Sequence, residues 1–403
     1  MVDYLLFGLF GATLLGIARF HKHALRIALG GLGCVLAARL ALTDFDLGHH
    51  LGHEWQNLVN LGGLLIGFAL LANFFERSKL PEKLTDVLPG GQLGAFVLLV
   101  LVAVMSSVLD NIAAALIGGS AAITLFRRKV HVGYLAAIVA ASNAGGAGSV
   151  VGDTTTTMMW LAGASPLAVA EAALGAVVAV AFFGFWASRQ QHALQPLVKS
   201  NGEGPAHPVD YAYVGIVVLI LVGAIGANLA FGFPAAGVWA AILVGCLLRR
   251  PDWKVIGPAA VGMCFLLSLV MSASMMPVEQ LPPASAWTAA GLGIVSAFFD
   301  NIPLTALAIK QGGYDWGYLA FCVGYGGSML WFGSSAGVAI SGLFHEAKSA
   351  KNWLVQGWHV AVGYVLGFLA MYFLLGWHPE HLAKPGTAAP EHGAPPAYSV
   401  PGR

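Results

Sequence analysis

The chain alternates between long apolar stretches and short polar segments. A helix needs about 20 apolar residues to cross a hydrocarbon core of about 30 Å. Stretches of roughly that kind lie at about 4–20, 24–42, 55–75, 134–162, 168–187, 211–231, 234–248, 255–276, 317–343 and 353–376. This pattern predicts an all-α polytopic membrane protein.

Two further apolar stretches, 92–126 and 284–309, carry a polar pair at their centre. The pairs are Asp110–Asn111 and Asp300–Asn301. As a single straight helix, the first stretch would be much longer than the hydrocarbon core. We therefore predict that each stretch folds at its polar centre into a re-entrant hairpin, with its tip near the middle of the membrane.

Basic residues predict the orientation, because cytoplasmic loops carry an excess of lysine and arginine. Arg19 and its basic neighbours follow the first stretch, which places the N-terminus outside. Basic residues flank the 92–126 hairpin on both sides, at Lys83 and at Arg127. That hairpin is therefore expected to enter and leave on the cytoplasmic side, and the 284–309 hairpin on the outer side.

Two of the predicted spans, 134–162 and 317–343, are interrupted by glycine-rich polar runs. In the first, four glycines lie within 145–152, directly before Asp153 and a run of threonines. Glycine costs about 1 kcal/mol in a helix interior, and unwound backbone at membrane depth is tolerated only where it is buried or lines a cavity. An acidic residue at such a break favours an ion-binding site of a transporter. Glycines for a close helix crossing are the alternative, which leaves Asp153 unexplained.

The hairpins and the broken spans form an internal repeat. Asp110–Asn111 recurs as Asp300–Asn301, and the glycine spacing of the first break recurs in the second. The two halves are predicted to run in opposite directions through the membrane, as inverted repeats of secondary transporters do. The predicted divisions are N-terminal scaffold helices 1–54, a first repeat 55–187, a cytoplasmic linker 188–210, a second repeat 211–376 and a disordered tail 377–403.

Composition narrows the class of protein. Of 403 residues, 58% are hydrophobic and 10% are charged, and the net charge is +1. Globular domains carry about 25% charged residues, so these values favour a membrane protein and exclude a nucleic-acid partner. The four cysteines show neither metal-binding nor disulfide spacing. No basic segment precedes the first apolar stretch, which is expected to be a retained span.

The motifs at 143–147, 152–156, 110–111 and 300–303 resemble those of the NhaD-type sodium/proton antiporters. These antiporters belong to the ion transporter superfamily, which also contains citrate and divalent-anion carriers. The resemblance covers about 55–376. It implies inverted repeats that form a scaffold domain and a moving transport domain, an elevator-type mechanism and a homodimer in the bacterial cytoplasmic membrane. Relatives often carry an aromatic residue and a proline where Gly148 and Val150 stand here.

Hard monovalent cations prefer oxygen ligands, and the tips and breaks offer carboxylate, amide, hydroxyl and backbone oxygens. The predicted inner set of cation ligands is Asp110, Asn111, Asn143, Asp153, Thr154, Asp300, Asn301, Ser334 and Ser335. The wider candidate site adds Ser142, Gly145, Gly146, Gly152, Thr155, Gly326 and Gly327. Within it, we expect Na⁺ to lie at Asp110, Asn111, Asn143, Asp153, Asp300 and Asn301.

Three of these ligands are carboxylates, and an anion would meet like charge beside them. In anion carriers of the superfamily, the hairpin tips resemble neutral Ser-Asn-Thr. Burial and mutual repulsion favour the protonated form of a carboxylic acid, so Asp110, Asp153 and Asp300 are the expected proton-coupling group. The structural alternatives are that Asp153 is a helix N-cap and that Asn111 and Asn301 are caps or turn residues.

The predicted function is the exchange of sodium or lithium for protons by alternating access, without a cofactor. One alternative is sodium-coupled transport of a di- or tricarboxylate or an oxyanion. A remote alternative is an intramembrane aspartyl protease, because Gly152–Asp153 and Phe299–Asp300 faintly resemble its paired motifs. The remaining polar candidates are secondary. Glu171 and His359 are expected at interfaces, and His49, His50, His53 and Glu54 in a solvated external loop rather than in a metal site.

Overall fold

The computed structural model describes residues 2–20, 23–80, 83, 88–197 and 208–380, and these contain helices and no strand. The helices are α1 (Val2–Arg19), α2 (Ala24–Leu42), α3 (Leu47–Arg77), α4 (Gly91–Ser106), α5 (Asn111–Leu125), α6 (Val132–Ala147), α7 (Thr154–Leu161), α8 (Pro166–Ala170), α9 (Ala172–Leu194), α10 (Tyr211–Phe231), α11 (Pro234–Gly245), α12 (Ile256–Ser274), α13 (Ala286–Ser296), α14 (Asn301–Gln311), α15 (Trp316–Leu319), α16 (Ser335–Leu343), α17 (Ala350–Gln356) and α18 (Trp358–Leu374). A π-helical segment, Ala320–Tyr325, continues α15. Short 3-10 turns lie at Trp253–Val255, Val278–Gln280, Gly327–Met329 and His345–Lys348.

The all-α polytopic class is confirmed. By length and composition, five helices in the described part of the chain can cross a membrane, or six if α17 and α18, bent by 61°, form one span. The other apolar segments are shorter helices, among them α1, α11 and the limbs of the hairpins. The shortness of the hairpin limbs and of α6 is what the predicted pattern of hairpins and broken spans requires, whereas that of α11 differs from the full span predicted at 234–248.

Both predicted hairpins are present. The first consists of α4 and α5 and the second of α13 and α14, each with a four-residue connection that ends in an aspartate. Asp110 and Asp300 adopt the same backbone conformation, with φ −55° and ψ 141°. In each case the aspartate side chain accepts a hydrogen bond from the backbone N–H two residues further on. The tips of the two hairpins are thus built alike.

Both predicted breaks are present as well, although the first begins later than the glycines suggest. Helix α6 continues through Gly145 and Gly146 and ends at Ala147, so the prediction that 145–152 leaves the helix as a whole is wrong at its start. The reason is close packing: a Cβ at Gly145 would lie 1.9 Å from the Ala103 carbonyl oxygen. The close contact with α4 explains these glycines without unwinding the helix.

The same backbone contacts occur in both halves. A Cβ at Gly326 would lie 2.1 Å from the carbonyl oxygen of Gly293, which repeats the contact of Gly145 with Ala103. Beyond each contact, the next glycine approaches the glycine at the far side of the break, as Gly146 does with Gly152 and Gly327 with Gly333. These matched contacts support the internal repeat at the level of the backbone.

Three segments outside the repeat differ from expectation or lie beyond the described residues. Helix α9 runs to Leu194, past the predicted start of the linker at 188, whereas 198–207 lie outside the described residues. The beginning of the predicted tail is ordered, since the Trp316 indole donates to the carbonyl oxygen of Glu380. The disorder predicted for the rest of the tail concerns residues outside the described part of the chain.

The histidine-rich segment is helical, so its assignment to an external loop is wrong. Asp46 caps α3 by accepting hydrogen bonds from the backbone N–H groups of Gly48 and His49. This cap starts the helix early enough to include His49, His50 and His53. Among the described residues, no group of three or more histidine, cysteine or acidic side chains has a metal-binding arrangement.

Candidate functional site

One cavity of about 1290 Å³ brings together residues from the two hairpin tips and from both breaks. Helices α5, α7, α14 and α16 all begin at this cavity. The polar residues that line it at these helix starts are Asp110, Asn111, Asp153, Thr154, Asn301 and Ser335. Its walls further out are mostly apolar, with Leu64, Phe68, Met263 and Leu266 among them. The predicted convergence of tips and breaks is therefore present in the structure.

Asn143 joins the two halves through its side-chain amide. It is fully buried, and its Oδ1 accepts a hydrogen bond of 3.0 Å from Asn111 Nδ2. Its Nδ2 donates to Ser328 Oγ at 2.9 Å and to Ser334 Oγ at 3.1 Å. A single side chain thus connects the first hairpin tip and the first broken span to the second break.

Asp153 makes the other contact between the halves. Its side chain caps α7, with Oδ1 3.4 Å from the Thr155 N–H. Its Oδ2 accepts hydrogen bonds from Thr155 Oγ1 at 3.0 Å and from Asn301 Nδ2 at 3.3 Å. Asp153 is only 3% exposed. The role of Asp153 as an N-cap is confirmed, and it coexists with a position on the cavity wall.

At the hairpin tips, the caps are the aspartates. The suggestion that Asn111 and Asn301 act as caps is wrong, because Asp110 and Asp300 occupy the N-cap positions. The two asparagines are the first residues of their helices, and their side chains are free to reach across the cavity. Asp300 also accepts a hydrogen bond of 3.3 Å from Ser335 Oγ.

The threonine run stabilises the first break. Thr156 Oγ1 donates to the Ser149 carbonyl oxygen at 2.6 Å, and Thr157 Oγ1 donates to the Val150 carbonyl oxygen at 2.9 Å. These carbonyl groups have no helical partner because α6 has already ended. The Ser149 carbonyl oxygen also accepts a hydrogen bond from the Gly152 N–H at 3.3 Å, and the threonine hydroxyls supply further hydrogen bonds to the break inside the protein.

Several predicted site residues serve packing instead. The Ser142 hydroxyl donates to the Val139 carbonyl oxygen of its own helix, at 2.9 Å, and makes none of the contacts between the tips and breaks. The predicted glycines contribute close backbone contacts to this region, as described for both halves.

Ser328 was missed by the sequence reasoning, although it is buried and bonded to Asn143. Its carbonyl oxygen also accepts a hydrogen bond from the Trp353 indole at 3.1 Å. The available signal was its place directly after Gly326–Gly327. The corresponding residue of the first half, Ala147, is apolar, so a search for repeated polar residues passes over it.

Two secondary candidates lie away from the cavity. Glu171 is exposed at the junction of α8 and α9. His359 is fully buried, and its Nε2 lies 3.1 Å from Gln190 Oε1. Neither of them lines the cavity.

The electrostatics of the site depend on four helix N-termini and three carboxylates. Each N-terminus carries a partial charge of about +0.5, which by itself favours an anion. Carboxylates cap three of the four, at Asp110, Asp153 and Asp300, and a serine caps the fourth, at Ser334. When ionised, three carboxylates outweigh four such partial charges, and the excess negative charge favours a cation.

Comparison with known proteins places this arrangement among transporters. The model of a family described as citrate transporter, CitMHS, matches residues 6–313. A protein of Arabidopsis thaliana named sodium/proton antiporter 1 is 28% identical over 333 residues, which cover 71% of this chain and 56% of that protein. Sodium/proton antiporter 2 of the same plant is 27% identical over 284 residues, which cover 58% of this chain and 66% of that protein. The chain thus spans between half and two thirds of the length of these relatives.

Proposed function

This chain belongs to the citrate transporter family, and from that premise we propose that it exchanges sodium or lithium ions for protons across a membrane. The observation that carries the proposal is the set of carboxylates on three of the four converging helix N-termini. The names of the two plant relatives agree with it. We place the protein in the bacterial cytoplasmic membrane as a homodimer, as the resemblance of its motifs implies.

In this proposal the cation binds among the oxygens where the two hairpin tips and the two breaks meet, a region that we call the cavity floor. Asp153 supplies the central carboxylate, and Asn301 turns its amide so that its oxygen, rather than its nitrogen, faces the ion. Amide groups can present either end, because they carry both a donor and an acceptor. The remaining ligands are drawn from Asn111 and Asn143, with Asp110 and Asp300 at the tips.

Proton coupling follows from competition for the same oxygens. A carboxylic acid that is removed from water favours its neutral form, so a proton occupies the group when no cation is present. An arriving cation stabilises the ionised form and releases the proton. The three carboxylates interact, so they hold and release protons as a set rather than one by one.

Transport of a carboxylate anion with sodium is the second candidate. The family's description names citrate, and the cavity presents helix N-termini with amide and hydroxyl groups that suit an anion. The carboxylates of this chain argue against it, because they repel an anion when ionised. An intramembrane protease is excluded by membership of a transporter family.

The deciding experiment measures proton movement in liposomes that contain the purified protein and a pH-sensitive dye. Addition of sodium or lithium to the wild type should move protons across the membrane. Asp153→Asn should lower the rate at least tenfold, because the amide keeps the helix cap but carries no charge. The matched control is Asp46→Asn, which changes another N-cap aspartate, at α3, and should leave the rate unchanged.

The same liposomes test the second candidate. If no monovalent cation moves protons while labelled citrate enters in a sodium-dependent manner, the antiporter proposal is wrong. If Asp153→Asn transports as well as the wild type, the cavity floor is not the site of coupling.

A further inference from the structure

The repeat places Gly324 where the first half carries Asn143. Each residue comes two positions before the glycine pair of its own break, and each faces the break of the other half. Asn143 contacts Ser328, which is the fourth residue after Gly324, and it also contacts the helix cap Ser334. Both contacts are hydrogen bonds from its amide nitrogen. The first half therefore gives a side-chain donor to the cap of the second.

Gly324 faces the equivalent residues but has no side chain to offer them. A Cβ at this position would lie 3.4 Å from Ala147 Cβ and 3.5 Å from Asp153 Oδ2. These are ordinary van der Waals distances, so a small side chain fits there without displacing its neighbours. Asp153 thus lacks the donor that Ser334 receives.

The surroundings of Gly324 support a role in the site. It lies in the π-helical segment Ala320–Tyr325, and π-helical turns occur often at functional sites. The asparagines at the two hairpin tips also have different hydrogen-bond partners. Asn111 bonds to Asn143, whereas Asn301, with no partner at Gly324, reaches the carboxylate of Asp153.

We propose that Gly324 determines the ion selectivity of the site. The space that it leaves beside Asp153 Oδ2 admits the cation, which takes the place that the amide of Asn143 has at Ser334. This inference rests on the proposed cation/proton exchange. A methyl group at this position narrows the space on one side of the carboxylate. It should therefore hinder sodium more than the smaller lithium ion.

The test compares sodium- and lithium-driven proton movement in liposomes that contain wild type, Gly324→Ala, Gly324→Ser or Gly291→Ala. Gly324→Ala should raise the half-saturating sodium concentration at least fivefold and that of lithium less than twofold. Gly324→Ser should lie between wild type and Gly324→Ala for sodium, because its hydroxyl adds an oxygen ligand. Gly291 has no atoms near its potential Cβ, so Gly291→Ala should match the wild type.

The outcomes separate this inference from the proposed function. If wild type moves protons with sodium and Gly324→Ala shows unchanged half-saturating concentrations for both ions, Gly324 has no role in selectivity and the exchange function stands. If Gly324→Ala does not fold, the space beside Asp153 is absent and the inference is wrong. If wild type responds to neither ion, the exchange function fails, and the inference fails with it.

Discussion

Asn143 joins three other buried polar side chains from both halves of the molecule. It accepts one hydrogen bond and donates two, and its partners Asn111, Ser328 and Ser334 are all buried. A buried polar group left without a partner costs about 1–3 kcal/mol. The loss of this one side chain therefore affects three other residues in both halves of the molecule.

We expect Asn143→Ala to destabilise the protein by about 2–5 kcal/mol, since it removes three buried hydrogen bonds and leaves Asn111 Nδ2 and Ser328 Oγ without their partner. The Ser334 hydroxyl keeps the hydrogen bond that it accepts from the Gly337 N–H. Ser142→Ala is the matched control, because Ser142 is the residue before Asn143 and its hydroxyl bonds to the Val139 carbonyl oxygen of its own helix. That change should cost no more than about 1.5 kcal/mol. Thermal unfolding of both variants in detergent measures the difference, and equal melting temperatures would contradict the assigned role of Asn143.

At the scale of residues, the sequence predicted which side chains belong to the site better than it predicted what each of them does there. Asp110, Asp153 and Asp300 stand out in an apolar chain because ionised groups are expensive in a membrane. The caps at the two hairpin tips, Asp110 and Asp300, could not be assigned from the Asp-Asn pairs, since either residue type caps helices well. Gly324 was passed over because a missing side chain has meaning only beside the carboxylate that the fold brings to it.

At the scale of the elements, the hairpins and broken spans are held together through glycines. Gly145 and Gly326 allow α6 and the π-helical segment to lie against the first limb of their hairpins, at Ala103 and Gly293. Such close approach leaves no room for a side chain. The hairpin and the broken span of each half are therefore expected to move as one body.

Gly145→Ala and Gly326→Ala should each disrupt folding, because the added carbon would lie within about 2 Å of a backbone oxygen. A backbone atom cannot yield as the end of a flexible side chain can. The yield of monodisperse protein on size-exclusion chromatography measures the effect. Gly342→Ala, in α16 with no atom near its potential Cβ, should express normally, and normal behaviour of either of the first two variants would refute the contact.

The elements themselves were largely predictable. The lengths of the apolar stretches and their polar centres gave both hairpins with bounds close to those observed. The start of the first break could not be predicted, because the cost of glycine within a helix is outweighed by the packing that Gly145 permits. The early start of α3 depends on the Asp46 cap, whereas the histidines after it suggested a loop.

At the scale of the whole molecule, the extent of the cavity indicates from which side of the membrane the site is reached. It extends from the hairpin tips to residues near the ends of α3, α5 and the start of α12, among them Glu76, Lys83 and Thr124. Basic residues cluster around these helix ends, which the sequence predicts to be cytoplasmic. The conformation is therefore one in which we expect the site to be reached from the cytoplasm.

Labelling of single cysteines tests this direction, in a background where the four native cysteines are replaced by serine. Ser120→Cys lies on the cavity wall and is exposed, so a membrane-impermeant thiol reagent should label it from the cytoplasmic side. Ala115→Cys is on the same helix but fully buried, and we expect it to react at least tenfold more slowly. Labelling of Ser120→Cys from the outer side alone would reverse the predicted orientation.

The glycines that allow close packing and the residues that make polar contacts between the breaks occupy different positions, and this has a consequence for how such a protein can change its substrate. Contacts such as those of Gly145 and Gly326 fix the backbone in both halves, whereas the polar contacts between the two breaks are decided at positions 143, 153, 324 and 334. The two sets of positions do not overlap. A combinatorial library confined to those four codons would vary the polar contacts between the halves while the glycine contacts of the backbone stay unchanged, and a duplicated ancestral gene could have diversified by the same route.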